Sequence, residues 1–163
     1  MNTPRVESEI ERHPITTPLG VMILCVLKEE KIIYLNWQPH SIPKKSAPKC
    51  KLAQETSRQI HAYFHQKLEK FDLPIEPSGT DFQKQIWALI NKISYGKTKS
   101  YQEISNELRR CNSARPVGNA IGKNPICLIT PCHRIIKASG ELGNYSGGAE
   151  IKKHLLYLES KIK

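Results

Sequence analysis

Residues 126–136 read Ile-Cys-Leu-Ile-Thr-Pro-Cys-His-Arg-Ile-Ile, and the rest of the chain is organised around them. Apolar runs flank Pro131-Cys132-His133-Arg134, so a thiol, an imidazole and a guanidinium sit where a buried strand is expected to end. The proline has no N–H and pushes Thr130 into extended geometry, which stops ladder pairing there. A free thiol ionises near pH ~8.5, so a nucleophilic role for Cys132 needs a neighbouring base or cation. Neighbours on a strand point to opposite faces, and a Cys132–His133 partnership therefore needs a turn at Pro131 or a water between the two groups. An isolated Cys-His pair fits a buried structural cysteine beside a surface histidine. The surrounding motifs change that reading.

The chain of 163 residues is long enough to bury a real core, as one domain or as two small ones. Its longest apolar run, Val21–Leu27, is far too short to span a bilayer. The first dozen residues carry Arg5, Glu7, Glu9, Glu11 and Arg12 with no apolar core, unlike a signal peptide. Cys25, Cys50, Cys111, Cys127 and Cys132 are odd in number and form no CxxC pair, so neither a disulfide framework nor a compact zinc site is supported. A reducing, cytoplasmic setting is expected. Charge is uneven: residues 1–78 hold 11 Lys/Arg against 9 Asp/Glu, and residues 79–163 hold 14 against 6. Such concentration in one half points to a polyanionic partner.

Thr17-Pro18-Leu19-Gly20 is a turn leading into Val21–Lys28, and Glu29-Glu30 separates that run from Lys31–Trp37. Two β-rich runs with a short polar break predict a hairpin, although Glu-Glu is poor turn chemistry. Gln38–Pro48, with three prolines, reads as a loop. A helical stretch with a partly apolar face follows over 52–68, where His61 and His65 fit an exposed face better than a metal pair. Asp72–Gly79, with Pro74, Pro77 and Gly79, reads as a linker, and the domain boundary is placed there.

Beyond it, Thr80-Asp81-Phe82-Gln83 fits a capping box, and Phe82, Ile86, Leu89, Ile90 and Ile93 make one helix face, ended by Tyr95-Gly96. A second capping box, Ser100-Tyr101-Gln102-Glu103, opens a helix with Ile104 and Leu108 inward. Arg110–Asn112 turns the chain, and Ser113 caps a third helix with Pro116 in its first turn. Helix, short turn, helix is the helix-turn-helix spacing. Its second member offers Gly118, Asn119, Ala120 and Gly122, too small to read base edges, and one guanidinium, Arg115, at its start. Small residues let a backbone lie close in a narrow groove, and a long cation can fill a vacated place in a base stack. Asn124-Pro125 is a turn whose side-chain amide can tie two segments together. Gly143–Gly148 is a flexible loop offering two hydroxyls. In the last helix, about Ala149 to Ser160, Glu159 projects into the arc made by Ile151, Leu155, Leu156 and Leu158. A carboxylate on a packed face needs a partner, and His133 is the candidate, because a carboxylate can orient an imidazole.

Together these motifs resemble the O6-alkylguanine-DNA alkyltransferases, the methylated-DNA–protein-cysteine methyltransferases. The likeness runs through residues 80–163 and rests on Thr80–Gln83, Ser100–Gln102, Ala114–Gly118, Asn124-Pro125, Pro131–Arg134 and Gly143–Gly148 in that order. Residues 15–37 look like the family's less constant N-terminal domain. The fold class implied is α+β, with a small N-terminal sheet-plus-helix domain over 1–78. A mainly helical DNA-binding and alkyl-transfer domain over 79–163 contains the helix-turn-helix.

The resemblance implies direct-reversal repair, an irreversible single transfer of the alkyl group from O6-alkylguanine to Cys132, with O4-alkylthymine as a second candidate substrate. His133 would deprotonate Cys132 through a water, with Glu159 orienting the histidine. Asn124 would be the hinge between the DNA-binding helix and the active-site segment, and Tyr101 would hydrogen-bond the flipped guanine. Arg115 would replace that guanine in the stack, with Gly118 and Ala120 against the groove. Tyr145 and Ser146 would flank the guanine oxygen, while Ser100, Arg134 and Lys152 complete the residues expected to face DNA or the pocket rim. The implied partner is double-stranded DNA carrying the lesion, bound in the minor groove with base flipping by a monomer away from any membrane. No cofactor is implied. Some family members bind zinc in the N-terminal domain, and no matching ligand set is found here.

Pro116 stands where the recognition helix often has alanine, and Ser94 where proline often precedes Tyr95-Gly96. The competing readings are a lesion-recognition protein without alkyl transfer, against which the presence of Cys132 argues, a helix-turn-helix transcriptional regulator, and a cysteine hydrolase, for which no oxyanion-hole signature is visible.

Overall fold

The computed structural model describes residues 9–38, 50–108 and 114–160. The proline-rich loop after Gln38, the turn at Arg110–Asn112 and the Ser113 cap lie outside the described residues. The chain divides into two compact units, Met1–Ser78 and Gly79–Lys163. Among the described residues no helix is long and apolar enough to cross a membrane.

The first unit is an antiparallel sheet of β1 (Ile10–Thr17), β2 (Gly20–Leu27) and β3 (Lys31–Trp37), in that order, with α1 (Lys51–Phe64) beside it. β1 is absent from the sequence reading because its inward set is mixed: His13, Ile15 and Thr17 are buried, and only one of them is aliphatic. Pairing with β2 from Ile10↔Leu27 to Thr17↔Gly20 forms the strand where local pattern is weak. The expected β2–β3 hairpin is present. Its turn places Lys28 and Glu29 in the left-handed region, at φ 51° and 59°, and the Glu30 N–H bonds the Leu27 carbonyl at 3.0 Å. α1 buries Ala53, Ile60 and Tyr63. Part of the expected linker is sheet edge instead: Ile75 pairs with Ile32, through the Ile32 N–H to Pro74 and the Glu76 N–H to Ile32, both 2.8 Å. Those bonds satisfy an edge that β3 would otherwise expose.

In the second unit both capping boxes form. Thr80 opens α2 (Asp81–Ile90), and Ser100 opens α3 (Tyr101–Glu107). α2 stops at Ile90, short of the expected Tyr95-Gly96, yet Ile93 stays buried in the turn that follows. Trp87 is core, and its indole N–H donates to the Ala120 carbonyl at 2.9 Å, pinning α2 to α4 (Ala114–Gly122). A two-stranded parallel sheet of β4 (Lys99–Ser100) and β5 (Ile135–Ile136) joins the start of α3 to the segment after Cys132. α5 (Ala149–Ser160) closes the unit.

The expected strand before Pro131 is not a strand. Ile126–Thr130 folds into a buried turn in which Leu128 takes φ 73° and the Thr130 N–H bonds the Ile126 carbonyl at 3.0 Å. Ile126, Cys127 and Leu128 are apolar because the turn lies in the core, and periodicity cannot separate such a run from a strand. Asn124 supplies what a ladder would have: its Oδ1 accepts the Ile126 N–H at 3.0 Å, and its amide donates to the Thr130 carbonyl at 3.0 Å. Cys132–Arg134 then form a single 3-10 turn behind Pro131. The arrangement is α+β, as the sequence implied.

The left-handed turn makes a stability prediction. Glu29→Gly relieves a side chain held at φ 59° and is expected to stabilise the first unit by about 1 kcal/mol in urea unfolding, against the modest entropic cost of glycine.

Candidate active site

Cys132 is buried at the floor of a cleft of about 620 Å³ in the second unit, the right size class for a small organic ligand such as a purine. The 3-10 turn at Cys132 and His133 removes the strand alternation that would send the two side chains to opposite faces. The Asn124 amide donates to Cys132 Sγ at 3.2 Å, so the side chain that holds the 126–130 turn also touches the thiol. A second thiol, Cys127, lies with its sulfur 3.9 Å from that of Cys132 and 3.1 Å from the Ser146 hydroxyl. Its single S–H is also within 3.8 Å of the Asn124 carbonyl, but an ionised Cys132 attracts it more strongly. Hydrogen bonding from Cys127, then from Asn124, and the charge of Lys152 hold the Cys132 thiol below its ordinary range against the opposing effect of burial. Cys127 is pushed up, by the same sulfur contact and by burial. Of the two sulfurs, Cys132 is the one that ionises.

His133 has no exposed surface, and its Nε2 lies 2.7 Å from Glu159 Oε1. Arg134 grips the same carboxylate, Nε to Oε2 at 2.9 Å and Nη2 to Oε1 at 3.0 Å, and donates from Nη1 to the Ile93 carbonyl at 2.6 Å. The Gly96 N–H adds a fourth donor at 3.2 Å. Burial pushes the Glu159 carboxyl up, but the His133 and Arg134 donors outweigh it and bring it down to about 2. A carboxylate accepts only, so the proton between Glu159 and His133 sits on Nε2, which leaves Nδ1 as a bare lone pair. That Nδ1 is buried and receives no hydrogen bond from the protein. Burial lowers the His133 pKa despite the pull of Glu159, so the imidazole is neutral at pH 7. A neutral imidazole with an unengaged lone pair is a base.

Tyr101 stands on the cleft wall, held close by two glycines. A Cβ on Gly118 would meet its ring at 3.7 Å, and one on Gly143, at φ 69°, would come within 2.8 Å of its hydroxyl. Burial, then the Cys132 charge, raises the Tyr101 pKa, so its hydroxyl stays a donor at neutral pH. Arg115, exposed at the start of α4, lines the cleft with Gly118, Tyr145 and Ser146.

Three residues expected to face DNA are buried instead. Ala120 is buried, its carbonyl bonded to Trp87, because the inward face of α4 carries it beside Val117 and Ile121. Lys152 is fully buried and not at the rim: its ammonium donates to the Ile135 carbonyl at 2.5 Å and the Asn144 carbonyl at 3.4 Å, and burial pushes its pKa down to about 8 against the pull of Cys132. Arg134 is buried against Glu159 because a core carboxylate draws in the nearest guanidinium. Ser100 is half-buried, and its hydroxyl accepts the Glu103 N–H in the α3 capping box. Sequence reasoning missed Cys127 as a partner of Cys132, although a second thiol in the same apolar run was the available signal. It also missed Lys137 and Asn144 on the cleft wall.

Residues 81–161 match the family model described as 6-O-methylguanine DNA methyltransferase, DNA binding domain. The chain is 40% identical over 149 residues to a methylated-DNA–protein-cysteine methyltransferase of Methanosarcina barkeri, an alignment covering 89% of this chain and 94% of the relative. With a protein of the same name from Mycobacterium bovis it shares 48% identity over 101 residues, 62% of this chain and 61% of that one. The crystal structure of the Mycobacterium tuberculosis O6-methylguanine methyltransferase superposes with a TM-score of 0.84 at 34% identity, over 94% of each chain. A structure of that organism's OGT in complex with DNA gives 0.82 at 36% identity, over 91% of this chain and 92% of the other. A thiol held ionisable at the floor of a cleft, beside a neutral imidazole locked by a buried carboxylate, thus occurs in a fold and sequence of one kind, and the chain belongs to the methylated-DNA–protein-cysteine methyltransferase family.

Proposed function

We propose that this protein repairs O6-alkylguanine in double-stranded DNA by moving the alkyl group irreversibly onto Cys132. The observation that carries the reading is the contact set of that sulfur, which accepts the Asn124 amide and lies 3.9 Å from the Cys127 sulfur in the cleft, next in the chain to the His133–Glu159 pair. The Cys132 proton passes through a water to His133 Nδ1, and Glu159 stabilises the imidazolium that forms. The thiolate attacks the alkyl carbon, the S–C bond forms, the C–O6 bond breaks, and the electron pair leaves with the guanine. The Tyr101 hydroxyl donates to the departing purine as negative charge grows on it. The product is a thioether, which has no good leaving group, so each molecule acts once.

A base inside a duplex cannot reach a buried sulfur, and flipping it out costs a few kcal/mol. Arg115 at the head of α4 is positioned to enter the emptied place, and Gly118 lets the helix backbone approach a minor groove closely. The net charge of +8 over residues 79–163 favours the phosphate backbone. The free thiols of Cys25, Cys50, Cys127 and Cys132 fit a reducing compartment such as the cytoplasm, where the protein acts as a monomer.

Incubation with a duplex containing O6-methylguanine is expected to add one methyl mass to the peptide bearing Cys132, and Cys132→Ser to abolish it. Lesion binding without that mass gain would instead describe a recognition protein. Arg115→Ala is expected to slow repair of duplex DNA about tenfold, equivalent to 1.4 kcal/mol of the flipping cost, and to leave reaction with free O6-benzylguanine nearly unchanged. Equal losses on both substrates would remove the stack-filling role.

The transfer rate should hold down to pH 6.5 and fall only below it, because His133 is held under its ordinary value and must be neutral to act. Glu159→Gln leaves the Arg134 guanidinium buried without its counter-charge and is expected to cost about 3–5 kcal/mol in urea unfolding at pH 7. The Glu159 contribution is complete above the ordinary carboxyl pKa of 4.5 and fades as pH falls toward about 2, so the variant should lack that acid limb of the stability curve.

A further inference from the structure

The first unit holds a cluster that alkyl transfer does not use. Glu11 and His13 lie two apart on β1, so their side chains share a face, and Cys50 is the N-cap of α1. His13 Nε2 is 3.1 Å from Glu11 Oε2 and 3.9 Å from Cys50 Sγ, and the three donor atoms all lie within 4.8 Å of one another. Zinc–ligand bonds of about 2.0 Å to nitrogen or oxygen and about 2.3 Å to sulfur, at tetrahedral angles, put nitrogen and oxygen about 3.3 Å apart and nitrogen and sulfur about 3.6 Å apart. The two distances from His13 Nε2 fall within a few tenths of an ångström of that spacing.

Hydrogen bonding alone accounts poorly for it. Glu11 Oε2 is buried and accepts no hydrogen bond, for His13 Nε2 is close enough but misaligned. The sulfur contact is long, and one ring nitrogen cannot serve both neighbours. His13 and Cys50 are themselves buried. The helix also begins on a cysteine, where serine, threonine, aspartate or asparagine is preferred. Cys50 Sγ accepts the Ala53 N–H at 3.4 Å, which fixes the sulfur at the head of the helix facing His13.

We propose that Glu11, His13 and Cys50 bind a divalent zinc-class metal ion. Thiolate and carboxylate together neutralise a dipositive ion, the imidazole adds a neutral ligand, and the mixed sulfur, nitrogen and oxygen set suits zinc over calcium or magnesium. Three protein ligands leave a fourth position for water. On binding, the Cys50 thiol proton passes to solvent, and the ion clamps β1 to the start of α1, two segments 37 residues apart.

The test titrates the tag-free full chain with Co²⁺, a spectroscopic stand-in for zinc, and follows thiolate-to-cobalt charge transfer in the near ultraviolet, with a parallel melt in one equivalent of Zn²⁺. Expected are a charge-transfer band saturating at one equivalent and a melting shift of roughly 10 °C. Both should survive Cys132→Ser and vanish in Cys50→Ser, which keeps a good helix cap and so should fold, as circular dichroism would verify. His13→Gln should weaken Co²⁺ binding at least tenfold. Absence of the band from the native chain overturns the proposal. So does a band that Cys50→Ser retains, or one that Cys132→Ser removes, since either would put the metal on other thiols.

Discussion

A single buried carboxylate organises the second unit. Glu159 arrives from the last turn of α5 into surroundings where an unpaired charge is very costly, and it is stable there because it collects donors from three residues on two other segments. Arg134 binds it as a fork, His133 through Nε2, and the Tyr95-Gly96 turn through a backbone N–H. Arg134 in turn holds the Ile93 carbonyl left open after α2 stops. One interaction therefore docks α5, orients the 3-10 turn and fixes which nitrogen of His133 carries the proton. Gly96 shows how close the approach is: at φ 72°, a Cβ there would come within 3.0 Å of the Glu159 carbonyl.

The sulfur at the centre of the cleft is caught between opposing demands. Burial keeps water away but disfavours the thiolate, the form that reacts. Three groups act against burial: the Cys127 thiol and the Asn124 amide from the segment between α4 and the 3-10 turn, and the buried Lys152 ammonium from α5. Lys152 is the least expected of them, for a fully buried lysine near pH 8 is partly charged at the edge of neutrality, and two backbone carbonyls rather than a carboxylate receive it. Asn124 has a double task, because the amide that reaches the sulfur also satisfies the backbone of the turn leading to it. Thiol and turn are thus set by the same side chain.

What was legible in the sequence was local. Both capping boxes, the α2 stripe with Trp87 inward, the β2–β3 hairpin and the bounds of α5 depend on residues three to fifteen positions apart, where spacing alone decides which side chains can meet. Glu159 was conspicuous for the same reason: a carboxylate inside an apolar arc has to be neutralised. What could not be read depended on distant partners. β1 is held by β2 despite weak alternation, and the 126–130 segment is a turn because Asn124 bonds it so. Arg134 and Lys152 look like surface cations by type, yet both are inside, because their partners sit on α5, in the turn after α2 and beside β5.

The sequence by itself determined the order of helices in the second half, the thiol–imidazole pair at its centre and the basic charge around it, since motif, periodicity and charge are properties of the chain. Only the tertiary structure decided that Cys127 faces Cys132, that His133 offers Nδ1, and that Glu11, His13 and Cys50 converge. Each of these depends on long-range packing that brings remote segments within a few ångströms, and such contacts leave no periodic trace along the chain.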